Sequence, residues 1–179
     1  MLSTHLDSCN GDFPLTVPVM AVPRATVPRI TVVGSYATGL TMKVERLPCT
    51  GETLLGTGYR VDYGGKGSNQ AVGSARLGAK VNFVARIGKD AFGEMALRLY
   101  REEGIDVAYV KRTAGAPTGV GFIMVEAASG NNCIVIDPGA NELLTADDIS
   151  GLAGKRHTSS LKCIATKATF DCISIGGAS

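Results

Sequence analysis

The periodicity of this chain changes at Gly65. Before it, Ile30-Thr31-Val32-Val33 is a short apolar strand stopped by Gly34-Ser35. Met42 to Tyr63 then reads as strand, turn, strand, broken at Pro48-Cys49-Thr50-Gly51, with Thr53 to Val61 rich in β-formers. After Gly65, Ala71, Val72 and Ala75 share one helical face, and Gly78 ends the helix. Val81 to Ile87 is a buried strand. Asp90 is placed to cap a second helix in which Phe92, Met95, Ala96 and Leu99 recur at helical spacing, with Gly104 at its end. Asp106 to Val110 is the next strand. Strand, helix, strand, helix, strand predicts an α/β fold with a parallel sheet and right-handed crossovers.

The rhythm changes again beyond Pro117. Thr118 to Val125 and Asn132 to Asp137 are β segments joined by the polar turn Ala127 to Asn131, which predicts a hairpin. With residues 52–63 it forms a small second sheet of segments at about 52–63 and 117–137. Thr145-Ala146-Asp147-Asp148-Ile149 reads as a capped helix start. Four prolines and no period mark residues 1–28 as a disordered leader. Residues 151–179 are irregular and carry four cations against one carboxylate. Ordered structure is expected over 29–150.

Charge and cysteines narrow the function classes. The net charge is +2, which demands neither nucleic acid nor an acidic membrane, and no apolar run is long enough to span a bilayer. Five cysteines with no C-x-x-C and two distant histidines offer no metal-ligand spacing, so no metal site is expected. They read as reduced thiols of a cytoplasmic protein.

The junction itself carries the chemistry. In Gly64-Gly65-Lys66-Gly67-Ser68-Asn69-Gln70-Ala71, glycines let backbone amides approach a ligand, Lys66 brings a cation, and Asn69, placed to open the helix, brings a donor and an acceptor. A Walker phosphate loop is excluded, because Gly67 follows the lysine and Arg60 stands five residues before Gly65. A Rossmann fingerprint fails as well. Two readings of the residues stay open: a site for a polyhydroxyl ligand, or a tight strand-to-helix turn and nothing more.

The segment from Gly64 to Gly88 resembles the first signature of the PfkB carbohydrate kinases, in its ribokinase-like form. Gly34-Ser35, Leu47-Pro48, Gly51-Glu52-Thr53, Gly88-Lys89-Asp90-x-Phe92-Gly93, Thr118-Gly119 and Pro138-Gly139-Ala140-Asn141 follow in the family's order. The resemblance covers about Arg29 to Ile149. It implies a partial ribokinase-like sheet with flanking helices and a β lid. It also implies a sugar such as ribose as substrate, with MgATP and a monovalent cation as the family's cofactors. Lys66 and Asn69 would hold sugar hydroxyls, Gly64 and Gly65 would approach through backbone, and Gly121 and Ile134 would be apolar lid positions over the sugar. Family lids clasp one another, which implies a dimer.

Two departures bear on this expectation. Ala37 and Gly39 stand where ribokinases carry Asn and Asp side chains that grip the sugar. Nor does the family's Gly-Ala-Gly-Asp motif, with its nucleotide site and catalytic base, occur in the chain. The chain is therefore expected to be a truncated kinase, inactive alone, with no catalytic residue assigned. The alternative is a non-catalytic sugar-binding or regulatory subunit that pairs with a full-length kinase through the lid.

Overall fold

The computed structural model describes residues 27–150. The leader expected over 1–28 and the tail expected over 151–179 lie outside these residues, apart from Val27 and Pro28. In chain order the elements are β1 (Arg29–Val33), β2 (Ala37–Val44), β3 (Thr57–Gly64), α1 (Lys66–Arg76), β4 (Lys80–Gly88), α2 (Ala91–Glu102), β5 (Asp106–Thr113), β6 (Val120–Glu126), β7 (Asn132–Asp137), a 3-10 turn (Gly139–Leu143) and α3 (Asp147–Ser150). Two sheets result. β1, β4 and β5 run parallel in the order β1-β4-β5. The second has the order β3-β2-β6-β7, antiparallel at β2–β3 and β6–β7 but parallel at β2–β6.

The second sheet differs from its sequence reading at two strands. β2 starts at Ala37, not Met42, and β3 starts at Thr57, because residues 52–56 have no regular structure. Ala37-Thr38-Gly39 lacks the alternating apolar pattern of a strand. Its backbone is extended because β3 and β6 hydrogen-bond it from both sides.

Both long helices lean on the same face of the parallel sheet. Val32, Val81, Phe83, Ala85 and Ile87 meet Ala71 of α1 and Ala96, Leu99 and Tyr100 of α2. Full burial of such side chains contributes about 2 kcal/mol each for the larger ones. Tyr100 stands edge-on to Phe83 and Tyr36, with ring centroids 5.0 and 6.2 Å apart. Its hydroxyl donates to Ser68 Oγ at 3.0 Å, which satisfies a group that burial would otherwise strand. The buried side of α2 is Gly93, Ala96, Leu99 and Tyr100; Phe92 and Met95 stay half-buried. The Asp90 cap on the Gly93 amide, 2.8 Å, holds Gly93 rather than Phe92 against the end of β4.

α1 docks through missing side chains. Gly65 has φ 94°, and a Cβ there would sit 2.6 Å from Ser35 O and 2.7 Å from Tyr36 Cα. A Cβ on Gly67 would meet Gly34 Cα at 2.7 Å. Only glycines let the helix start lie against the β1–β2 connection, where the Ser68 amide donates to Ser35 O at 3.1 Å.

The opposite face of the parallel sheet packs Val33 and Val84 against Leu144 and Ile149. Beside them Asp148, its side chain 1% exposed, accepts from Arg86 Nε and Nη2 at 2.8 and 3.0 Å, from Lys111 Nζ at 2.6 Å and from the Thr145 amide at 2.9 Å. Burial alone would raise this carboxyl. Arg86, Lys111 and Thr145 outweigh that and hold it well below the usual carboxylate range. Such a group stabilises the fold above its unfolded value near pH 3.9, and that contribution fades as pH falls through the lower folded value.

Asp148→Ala strands two cations and is expected to cost about 3 kcal/mol at pH 7 by urea titration, with the gap to wild type closing below about pH 4. Gly65→Ala is expected to cost about 3 kcal/mol or more, from strain plus overlap. Gly73→Ala, in the interior of α1 with nothing within 4 Å of its Cβ, should instead stabilise by about 0.5–1 kcal/mol in the same titration.

Candidate functional site

The helix opens at Lys66, three residues before Asn69, with Gly65 as its N-cap and no side-chain cap. Lys66 and Asn69 are thus one turn apart and lie on one side of α1. Both are exposed. The first turn holds no acidic side chain, so nothing there offsets the positive helix end. Gly64 ends β3 opposite Ala37, whose carbonyl oxygen would stand 3.0 Å from a Cβ on Gly64.

The strand ends continue this floor. Asp62, Gly39, Gly121 and Ile136 stand abreast across β3, β2, β6 and β7. The row two residues further along β2 is Arg60, Thr41, Ile123 and Ile134. Cross-strand partners share a face, so Gly121 and Ile134 lie on the same face as Gly39. Ile134 is half exposed and Gly121 is buried, with nothing within 4 Å of where its Cβ would be. The register therefore groups Gly64, Gly121 and Ile134 on one face of the second sheet, with Lys66 and Asn69 beginning the helix that leaves its edge.

The opposite face carries a different chemistry. Val61, Leu40, Phe122 and Val135 form one row across it, flanked by Tyr59, Tyr63 and Met42. Phe122, Val135 and Tyr59 are 54–60% exposed. The two faces of one thin sheet thus differ: one carries glycines and the charged pair Arg60 and Asp62, the other a continuous apolar row.

Two side chains pin this sheet to the α/β core. Asp90 Oδ1 accepts from Thr118 Oγ1 at 2.6 Å, and Oδ2 accepts from the Thr118 amide at 2.7 Å. The Gly88 amide donates back to Thr118 Oγ1 at 2.9 Å. Burial pushes the Asp90 carboxyl up, but these bonds and the Gly93 and Phe92 amides hold it below the usual range. Where β7 returns, Asn141 accepts from the Tyr36 amide at 3.0 Å and donates to Tyr36 O and Pro138 O at 2.8 and 2.7 Å. Sequence reasoning found Asp90 only as a helix cap. Its second duty joins residues 28 apart, which no local pattern encodes. Asp62 escaped notice for a similar reason, since its place beside Gly39 follows from register alone.

Among the described residues no three His, Cys, Asp or Glu side chains gather where they could hold a metal ion. Cys49 is exposed, Cys133 is half-buried, and neither forms a disulfide. No helix among the described residues is long and apolar enough to cross a membrane.

Known proteins match this architecture. The model of the pfkB family carbohydrate kinases matches residues 27–160. The ribokinase of Haemophilus influenzae is 43% identical over 116 residues, which cover 65% of this chain and 38% of that protein. The solved structure of ribokinase from Giardia lamblia superposes with a TM-score of 0.65 at 39% identity, over 71% of this chain and 38% of that one. Arabidopsis thaliana ribokinase, solved with ribose and ATP, superposes with a TM-score of 0.60 at 34% identity, over 70% and 42%. The chain thus spans about two fifths of the length of the relatives it matches. With its parallel sheet, its Gly-Gly-Lys-Gly helix start and a family match over most of its length, the chain belongs to the pfkB family of carbohydrate kinases.

Proposed function

We propose that this chain carries the sugar-binding side and the lid of a ribokinase-like sugar kinase, for ribose or a similar sugar. The observation that carries the reading is the placement of Lys66 and Asn69 on the first turn of α1, directly after the edge of a sheet whose adjoining face holds Gly39, Gly121 and Ile134. The Lys66 ammonium donates to hydroxyl oxygens. Asn69 both donates and accepts. Gly64 and Gly65 present backbone, and Gly121 and Ile134 form an apolar cover. The second sheet acts as the lid, pinned by Asp90 and Asn141.

The family reaction transfers the γ-phosphoryl group of ATP to the sugar, which needs Mg²⁺, a phosphate cradle and a base or positioning carboxylate. The described residues offer no gathered acidic set for Mg²⁺. In this reading the chain alone binds sugar without turning it over. The unbroken apolar face of the lid supports a partner: a second copy of this lid, or that of a full-length kinase.

Calorimetry with ribose should register binding that Lys66→Ala abolishes, while a coupled assay with ribose and MgATP should register no turnover. Turnover near ordinary kinase rates of about 1–100 s⁻¹ would refute the claim of binding alone. Absence of sugar binding would refute the sugar site. In sedimentation velocity the wild type should run as a dimer, and Phe122→Asp, which buries a charge in any lid-to-lid contact, as a monomer.

A further inference from the structure

We propose that Asp62 is the carboxylate that grips the sugar in this chain, taking from the neighbouring strand the place that Gly39 leaves open. The proposal rests on the sugar-binding reading above and names the residue that sets its specificity.

The register carries the argument. Gly39 of β2 is paired with Asp62 of β3 on one side and with Gly121 of β6 on the other. A Cβ built on Gly39 would stand 3.9 Å from Asp62 Cβ and 3.6 Å from Ile123 Cδ1. The Asp62 side chain therefore starts one van der Waals contact away from where a side chain at position 39 would start, on the same face. The space over Gly121 is open, with nothing within 4 Å of a Cβ there, while Ile123 borders the Gly39 position. This open row leads to Gly64 at the end of β3 and from there to Lys66.

The chemistry fits the vacancy. Lys66 only donates hydrogen bonds, and Asn69 offers one acceptor atom. A sugar hydroxyl must also place its proton, and a pair of neighbouring ring hydroxyls matches the two oxygens of a carboxylate. Asp62 is the carboxylate of that row. It is available: its side chain is 52% exposed, and its ion pair with Arg60 is loose at 3.7 Å, with Arg60 68% exposed. An exposed pair of this kind is worth little and yields easily to a ligand. Arg60 lies on the same face one row further along, on the side of Asp62 away from Gly64.

The test is a relocation. Ribose is titrated calorimetrically into the full chain as wild type, Asp62→Asn, Lys66→Ala and the double variant Asp62→Ala/Gly39→Asp. Circular dichroism and thermal melts confirm that each variant is folded, as expected for an exposed strand residue and for a glycine whose added Cβ makes only ordinary contacts. Asp62→Asn should weaken ribose binding tenfold or more. The double variant, which returns a carboxylate to the same row from β2, should recover affinity to within about threefold of wild type. Asp62→Asn keeps the shape of the side chain, so a purely structural role for Asp62 would leave its ribose binding near that of wild type. If Asp62→Asn binds within twofold of wild type while Lys66→Ala abolishes binding, the sugar site stands and Asp62 is not its carboxylate. If the double variant stays as weak as Asp62→Asn, the relocation is refuted. If wild type takes up no ribose, the sugar site itself is refuted, and this assignment with it.

Discussion

Backbone packed directly on backbone is the constraint on which the two-sheet arrangement depends. Residues 34–37 link β1 of the parallel sheet to β2 of the lid, and three other segments close on them. Gly65 and Gly67 bring in the start of α1, and Gly119 brings in the chain ahead of β6, where a Cβ would stand 3.0 Å from Tyr36 O. Asn141 completes the joint by holding both the amide and the carbonyl of Tyr36. Any side chain at these glycines would push sheet and helix apart. The glycine run is thus a packing device first. The Cβ side of each glycine in the run is filled by the 34–37 segment, as a tight turn requires, and this packing leaves Lys66 and Asn69 exposed.

Most of the α/β portion was legible because its signals are local. The helix after Gly65, the Asp90 cap and the Gly104 stop all depend on residues within one or two turns. The boundaries of α1 and α2 and the hairpin strands agree with the periodicity to within two residues, except that α1 opens at Lys66. The lid was less legible. Ala37-Thr38-Gly39 has no strand pattern of its own and becomes one because β3 and β6 flank it. Thr53 to Gly56 has β-forming residues but no partner strand, and it stays irregular.

The site was legible in part for the same reason. Lys66 and Asn69 announce themselves by spacing in a glycine run. Asp62 does not, since in the sequence it is one more charge in a β segment. Its meaning appears only when the β2–β3 register sets it beside a glycine. The register alone brings Asp62 beside the glycine at position 39. The same holds for Asp90 and Thr118, separated by all of α2 and β5 and joined by two hydrogen bonds, beside the one that Thr118 takes from Gly88.

The parallel pairing of β2 with β6 has a consequence for the order of folding. Thr38 meets Val120 and Val44 meets Glu126, partners about eighty residues apart. The whole of β3, α1, β4, α2 and β5 lies in the loop between them. Closing a loop of that length is entropically costly and is repaid only once its ends are held together. The β2–β3 and β6–β7 hairpins are local and form early. Their fusion into one sheet has to close the whole intervening loop, which the Asp90–Thr118 contact shortens once it is made. The β2–β6 seam is thus the pairing of highest sequence separation in the lid, and until it forms the two hairpins present unpaired inner edges.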